Sequence, residues 1–323
     1  MLATFTQPKN SSSAASIALG AMNFGKRTSA ADAEKIMARA VERGVSLFDT
    51  ANVYVDGQSE EIVGRFIKSH PGKVAVATKV GLNGFFSGKA EGLSKQAVLS
   101  AADQSLKRLG IDTIDIYYLH APDHNTPIEE TLSAVSELLQ KNKIRNFGVS
   151  NYASWQIVEI FHACDTMGIT RPVIAQQIYN LLIRQLDIEY ARFARKYKLH
   201  TTVYNALAGG MLSGKYLNDR TIEKGSRFDK NRLYLGRYWN DRLFDLVASY
   251  AALAEKAGMS LTDLSYAWLA GSNLVDSVLV GPATIAHLDA ACDGLAKTLS
   301  NETRAEIDSL NKAFLATDTT YAR

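Results

Sequence analysis

Four polar side chains stand just beyond short apolar runs of the sequence. Asp49 follows VSLF, Tyr54 lies five residues on, Lys79 follows VAVAT, and His120 follows IDIYYL. Each has an ordinary explanation when taken alone. An Asp after a strand commonly caps the next helix, a Lys is commonly solvated, and a lone His commonly makes a structural hydrogen bond. Together they form a coherent proton-donating set. A Tyr hydroxyl titrates near pH ~10 and is a poor acid at neutral pH. A neighbouring ammonium stabilises the phenolate and lowers that value. Lys79 can do this for Tyr54, Asp49 can neutralise and orient Lys79, and His120 can hydrogen-bond a substrate oxygen and place it. Such a set delivers a proton to a carbonyl oxygen as charge develops there. No side chain supplies a hydride, so the hydride calls for a nicotinamide cofactor. Tyr204 offers a flat face for its ring. Ser150, Asn151 and Gln176 offer hydrogen-bonding groups for its carboxamide.

The elements that must position these residues alternate along the chain. Short runs rich in β-branched and aromatic residues lie at 17–19, 45–48, 74–77, 114–119, 144–149, 173–175, 201–204 and 277–280, and read as strands. Between them the spacing predicts helices over 30–43, 94–109, 127–142, 154–167 and 187–197. Gly44 and Gly110 stand where two of these would stop, and Pro127 where one would start. The stretch 218–238 reads as a long basic loop, and long loops in compact domains are usually functional. Strand–helix alternation repeated in this way gives a closed (β/α)8 barrel or a doubly wound open sheet. An open nucleotide-binding sheet would carry GxGxxG after its first strand, and the chain has none. The expectation is an α/β (β/α)8 TIM barrel spanning residues 1–323 as one domain, with an extra C-terminal helix from Asn301 over one end. Barrel chemistry gathers at the C-terminal ends of the strands, which is where the four polar residues fall.

The composition is that of a globular protein. Of 323 residues, 46% are hydrophobic and 21% charged, and the net charge is +3. That balance argues against a nucleic-acid partner, which needs a marked basic excess, and against disorder. Cys164 and Cys292 read as two free thiols of a reducing compartment. The first residues lack the pattern of a secretory signal, and no run approaches the ~20 apolar residues of a membrane span. A cytoplasmic protein with no membrane partner is the expectation. No HxH follows the first strand, and no HExxH or CxxC occurs, so no metal is expected at His120, His124 or elsewhere. Residues 209–216, GGMLSGKY, satisfy GxxxxGK, but Tyr216 stands where a P-loop needs a magnesium-binding hydroxyl. The phosphate logic survives without hydrolysis: Gly210 permits close backbone approach, and Lys215 and Arg227 can meet a pyrophosphate or ribose phosphate.

The segments GVSLFDTANVY, ATKVG, YYLHAPD and FGVSNY occur in order, and the chain resembles the aldo-keto reductases from LGAMNFG to VLVGPAT. LHAPDHNTPIEETL, SNYASW, YNALAGGMLSGKY and YWNDRLF are most similar to the aflatoxin-aldehyde and succinic-semialdehyde reductase branch. The resemblance implies a (β/α)8 barrel that reduces a small-molecule aldehyde or ketone. It implies the catalytic residues Asp49, Tyr54, Lys79 and His120, with Tyr54 as general acid. It places Met22, Asp49, Ser150, Asn151, Gln176, Tyr204, Leu207, Gly210, Ser213, Lys215 and Arg227 on the cofactor. After the last strand the chain departs from the family's polar run: Thr284 and His287 stand there, and Ala291 cannot bond adenine. NADP(H) is the expected cofactor because Lys215 and Arg227 are kept, with NAD(H) the second choice. Arg237 and Arg323 match substrate positions of the semialdehyde-reducing branch and imply a carboxylate-bearing aldehyde. Tyr54 and His120 would also touch the substrate. Met22, Phe24, Phe85, Phe86 and Trp239 are candidate pocket walls. Members of the resembling branch are often homodimers. Two other readings fit the same motifs: a redox-sensing regulatory subunit like the potassium-channel β subunits, and an NAD-linked alcohol or sugar dehydrogenase.

Overall fold

The computed structural model describes residues 2–10, 13–82 and 91–316. Its strands are β1 (Ser16–Gly20), β2 (Leu47–Asp49), β3 (Ala75–Val80), β4 (Ile114–Leu119), β5 (Ile144–Ser150), β6 (Ile174–Ile178), β7 (His200–Tyr204) and β8 (Ser277–Val280). They pair in parallel in chain order, and β8 closes on β1. Every strand expected from the sequence is present, and the closed barrel is the solution adopted.

The pleat fixes which residues face inward. Successive side chains of a strand point to opposite faces. Ala18, Leu47, Ala75, Ala77, Ile116, Tyr118 and Ile174 fill the barrel interior. Their alternates, including Phe48, Val76, Tyr117 and Leu119, pack against the surrounding helices. One more inward step carries β2 from Leu47 to Asp49, β3 from Ala77 to Lys79, and β4 from Tyr118 to His120. The same alternation that builds an apolar core therefore delivers three polar groups to its upper end. Strands buried on both faces read as near-continuous apolar runs, which is why β3 was visible in the sequence.

The surrounding helices are α1 (Ala30–Glu42), α2 (Gln58–Ser69), α3 (Lys95–Leu109), α4 (Ile128–Gln140), α5 (Ser154–Met167), α6 (Tyr190–Tyr197), α7 (Arg232–Tyr238), α8 (Asp241–Lys256), α9 (Leu261–Ala270), α10 (Ile285–Leu295) and α11 (Asn301–Leu315). Ser29 and Ser94 cap α1 and α3 through their hydroxyls, and α3 stops at Gly110, whose φ is 67°. Pro127 sits at the cap of α4 rather than in its first turn. Residues 187–189 do not belong to α6; a short 3-10 turn, Gln185–Asp187, precedes it. The stretch 218–238 is not irregular throughout, because its end forms α7, capped by the Asn231 side chain. The expected C-terminal helix is α11. It packs on α8 through a Lys256–Glu306 ion pair at 3.0 Å and an Arg242 bond to the Phe314 carbonyl at 2.7 Å. Cys164 and Cys292 are buried free thiols. No described helix is long and apolar enough to cross a membrane.

The lower end of the barrel is closed by the N-terminal segment. Phe5, on a 3-10 turn, is fully buried against the interior cluster. His200 Nδ1 lies 2.8 Å from the Gln7 carbonyl, which can only accept, so Nδ1 carries the proton. Its Nε2, 2.9 Å from Ser277 Oγ, then accepts. Burial holds this imidazole below its ordinary range. The folded state therefore binds the proton less readily than the unfolded chain. Its contribution is complete above the unfolded value near pH ~6.5 and is lost as pH falls below it. Denaturant titrations should show stability declining from pH 7 to pH 5. His200→Gln, which keeps one donor and one acceptor, should flatten part of that decline; an unchanged slope would contradict the assignment.

Candidate active site

The centre of the upper rim is an ion pair. Lys79 Nζ contacts Asp49 Oδ1, with side chains 0% and 2% exposed. Lys79 also donates to the Thr50 carbonyl at 2.7 Å, and Gln176 Nε2 donates to Asp49 Oδ2 at 2.9 Å. Burial pulls the ammonium down and pushes the carboxyl up, while each partner's charge opposes the shift. The donors around Asp49 and the acceptors around Lys79 suit the charged forms.

Tyr54 and His120 lie against this pair. Lys79 Nζ is 5.1 Å from the centre of the Tyr54 ring, and the Tyr54 and His120 rings meet edge-on at 5.8 Å. Sequence reasoning expects Lys79 to bring the Tyr54 hydroxyl down. The structure gives the opposite balance. Burial pushes the phenol well above its ordinary value, and the Asp49 charge adds to the effect. Tyr54 is therefore held protonated at neutral pH. That state still suits a donor, because a developing alkoxide is a stronger base than a phenolate. His120 is driven well below its ordinary range by burial and then by Lys79, so its imidazole is neutral. Of its two ring nitrogens, Nδ1 is buried without a partner, and Nε2 is left for a substrate oxygen.

The Tyr54 turn is held by groups that the sequence reading missed. Val55 and Asp56 have φ of 51° and 52°, in the left-handed region, and Gly57 follows at 90°. A β-branched residue there is strained, and such strain persists only where the surroundings enforce it. The enforcement comes from α2. Ser59 Oγ bonds Thr50 Oγ1 at 2.8 Å and the Ala21 carbonyl at 2.9 Å. Glu60, fully buried, accepts from Thr78 Oγ1 at 2.5 Å and from Arg108 Nε at 2.6 Å. Glu91 bridges the neighbouring loops, accepting from Asn52 Nδ2 and from the Gly81 amide. The one sequence signal was a Glu inside QSEEIVG at a core-facing helical position.

The expected carboxamide residues are gathered beside the pair. Ser150 Oγ donates to the Gln176 carbonyl at 3.0 Å. Asn151 Nδ2 donates to the His120 carbonyl at 2.9 Å, and its Oδ1 accepts from the Tyr204 hydroxyl at 2.7 Å. Gln176 Nε2 is engaged with Asp49 and the Gln176 backbone carbonyl with Ser150 and the Asn151 amide, which leaves the side-chain Oε1. Beyond β7, Leu207, Gly210 and Ser213 lie on or beside a 3-10 turn in which Gly209 and Gly210 have φ of 70° and 105°. Lys215 is partly exposed, 3.5 Å from Glu223. Arg227 reaches across to Asn23 Oδ1 at 3.0 Å and to the Met22 sulfur at 3.6 Å. Arg27, not anticipated from the sequence, bonds the Ser226 carbonyl beside it. Burial and the Arg227 charge lower its affinity for a proton. Neither arginine has a carboxylate in ion-pair contact among the described residues; Asp229 is the carboxylate whose charge reaches Arg27.

The other expected residues are placed as follows. The Thr284 hydroxyl is engaged as the cap of α10, accepting from the His287 amide, and both residues are exposed. Phe24 is fully buried in the core and is no pocket wall. Trp239 packs within a cluster of Phe228, Tyr216 and Phe244. Arg237, on α7, is half-buried with no ion pair among the described residues, and its charge acts on Tyr204. Phe85, Phe86 and Arg323 lie outside the described residues.

Comparison with known proteins agrees with this geometry. The family profile described as "Aldo/keto reductase family" matches residues 16–312. The chain is 35% identical to the human protein named aflatoxin B1 aldehyde reductase member 2, over 92% of this chain and 85% of that one. It is 35% identical to the rat protein of the same name, over 84% and 77%. It is 31% identical to a probable voltage-gated potassium channel subunit beta of Arabidopsis thaliana, over 80% of each.

The buried Glu60 carboxylate makes a stability prediction. Arg108→Ala leaves that charge unpaired and should cost about 3 kcal/mol. Adding Glu60→Gln should recover part of the loss in denaturant titrations. A double variant no more stable than the single one would show that the pair does not act in this way.

Proposed function

The chain belongs to the aldo/keto reductase family of nicotinamide-dependent oxidoreductases, and from that premise we propose that it is an NADPH-dependent reductase of aldehydes with Tyr54 as proton donor. The observation that carries the reading is the buried Asp49–Lys79 pair with Tyr54 and His120 packed against it at the barrel mouth. The names of the rat and human relatives support an aldehyde as substrate.

The residues present fit a dinucleotide. Glycines 209 and 210 leave the turn after β7 without side chains in a conformation that favours Gly. Arg27 and Arg227 have no carboxylate in ion-pair contact among the described residues, and two such guanidinium groups suit a phosphate. Lys215 adds a third cation, which favours NADPH over NADH. Ser150, Asn151 and Gln176 Oε1 would hold the carboxamide, and Tyr204 would flank the ring. A bound nicotinamide cofactor supplies the hydride.

The chain's own residues do the rest. The neutral His120 donates from Nε2 to the substrate oxygen and sets its place. Tyr54, kept protonated by burial, gives its proton to that oxygen as charge grows there. The Lys79 ammonium offsets the phenolate left behind, and Asp49 holds Lys79 in position. Arg237, half-buried and without a carboxylate partner, would take the acid group of a carboxylate-bearing aldehyde.

Tyr54→Phe removes the donor alone. With a panel of aldehydes and both cofactors, kcat should fall ~10²–10⁴-fold, cofactor affinity should hold, and wild-type kcat/KM should be higher with NADPH. Negligible wild-type turnover together with very slow cofactor release would instead support a redox sensor like the potassium-channel relative. Arg237→Ala should raise KM for succinic semialdehyde far more than for an uncharged nitrobenzaldehyde. Equal effects on the two would refute the carboxylate role.

A further inference from the structure

A second aromatic ring bears on Lys79. Tyr118 is the register partner of Lys79 across the β3–β4 pair, and both side chains point into the barrel. The centre of its ring lies 5.8 Å from Lys79 Nζ, within the range of a cation–π contact. The ammonium is thus flanked by two phenol rings, Tyr54 toward the mouth and Tyr118 one inward step deeper.

The ring sits in a dry, tightly packed site beside the ammonium. Its hydroxyl is fully buried and makes no hydrogen bond of ordinary geometry; Thr202 and Gln176 are the polar groups it faces. The hydroxyl therefore gives no reason of its own for an aromatic ring here. Gly148 is the register partner of Tyr118 on β5. A Cβ at Gly148 would lie 2.6 Å from Ile174 Cγ2, 2.8 Å from the Ile174 carbonyl oxygen and 2.8 Å from Tyr118 Cε1, so the glycine serves the close approach of β6 as well as the ring. Gly weakens a strand interior unless something needs the space. A leucine at 118 would fill much of the same space and leave no buried hydroxyl. What leucine cannot supply is a π face beside a dry ammonium.

We infer that Tyr118 is a positioning residue for the proton-donating pair, its ring holding the Lys79 ammonium in place while its hydroxyl takes no part. The inference rests on the proposed role of Lys79 beside Tyr54. The charged and titratable groups facing Lys79 are Asp49 from β2, Tyr54 from the turn after it, Glu60 from α2, and His120 and Tyr118 from β4 and its end. Asp49 is the one in contact. Without the ring, the ammonium loses a desolvated cation–π contact, and the coupled Lys79–Tyr54 pair gives up its proton at lower pH.

The test is the pH profile of kcat/KM for the whole protein with its cofactor. Tyr118→Phe keeps the ring, so its alkaline limb should overlay that of the wild type and its Tm should be unchanged or higher. Tyr118→Leu should move the alkaline limb down by about one pH unit and lower kcat about tenfold, with cofactor affinity retained. A trifluorinated phenylalanine at position 118 weakens the π face at nearly constant volume and should shift the limb the same way, which decides the matter if the leucine variant does not fold. Limbs that coincide for the leucine or trifluorinated variant and the wild type overturn the inference. So does a phenylalanine variant as impaired as the leucine one, which would assign the role to the hydroxyl. The Tyr54→Phe control separates the two readings, because full turnover there would refute the proton-donor assignment itself.

Discussion

The Asp49–Lys79 pair is the constraint around which the upper half of the barrel is arranged. An ion pair removed from water loses several kcal/mol of hydration per ion and recovers it only when geometry and further hydrogen bonds are good. Here the ammonium has a second acceptor in the Thr50 carbonyl, and the carboxylate has a second donor in the Gln176 amide. Those partners come from the ends of β2 and β6, on opposite sides of the barrel. A closed barrel is what lets residues 127 positions apart in sequence meet on one charge. An open sheet would leave at least one of these partners absent or wet.

That same desolvation sets the chemistry. It keeps Tyr54 protonated and His120 neutral, so the site holds one transferable proton and one uncharged hydrogen-bonding ring beside a fixed cation. In the proposed mechanism, Lys79 would matter less for shifting Tyr54 in the resting site than for offsetting the charge left if Tyr54 gives its proton up. The strained turn at Val55 and Asp56 belongs to the same arrangement. It brings a Tyr from outside β2 back over the pair, and the buried Ser59 and Glu60 contacts of α2 hold it there.

Much of this was legible before any coordinates, and the reason is the period of a strand. Apolar runs ending in Asp49, Lys79 and His120 mark both the strands and the inward direction of those residues. Glycine and capping residues likewise marked the ends of α1 and α3. What stayed hidden depends on partners distant in sequence. Arg27 reads as a solvated loop residue until Arg227 is folded beside it. Glu60 stands at a core-facing position of QSEEIVG, but nothing local names Thr78 and Arg108 as the partners that close on it. Tyr118 is one more apolar residue in IDIYYL, and nothing local reveals that its ring sits opposite Gly148 and next to an ammonium. Burial at Tyr54 reversed an expected shift because sequence shows which charges are near but not how much water is removed.

The charge pattern follows from the same separation of inside and rim. A net charge of +3 describes a nearly neutral molecule, yet the barrel interior holds a compensated pair while Arg27 and Arg227 share the rim. A compensated pair can stay buried without a ligand, because each charge already has its partner. The Arg227 charge disfavours that of Arg27, and Asp229 offsets only part of the effect. In the proposed function, the charges that serve the proton are paired within the fold, and the two arginines that would hold a phosphate are left without an ion pair among the described residues. Under the proposed reading, a phosphate held at the rim would relieve a repulsion already present in the free protein, without drawing on the Asp49–Lys79 pair.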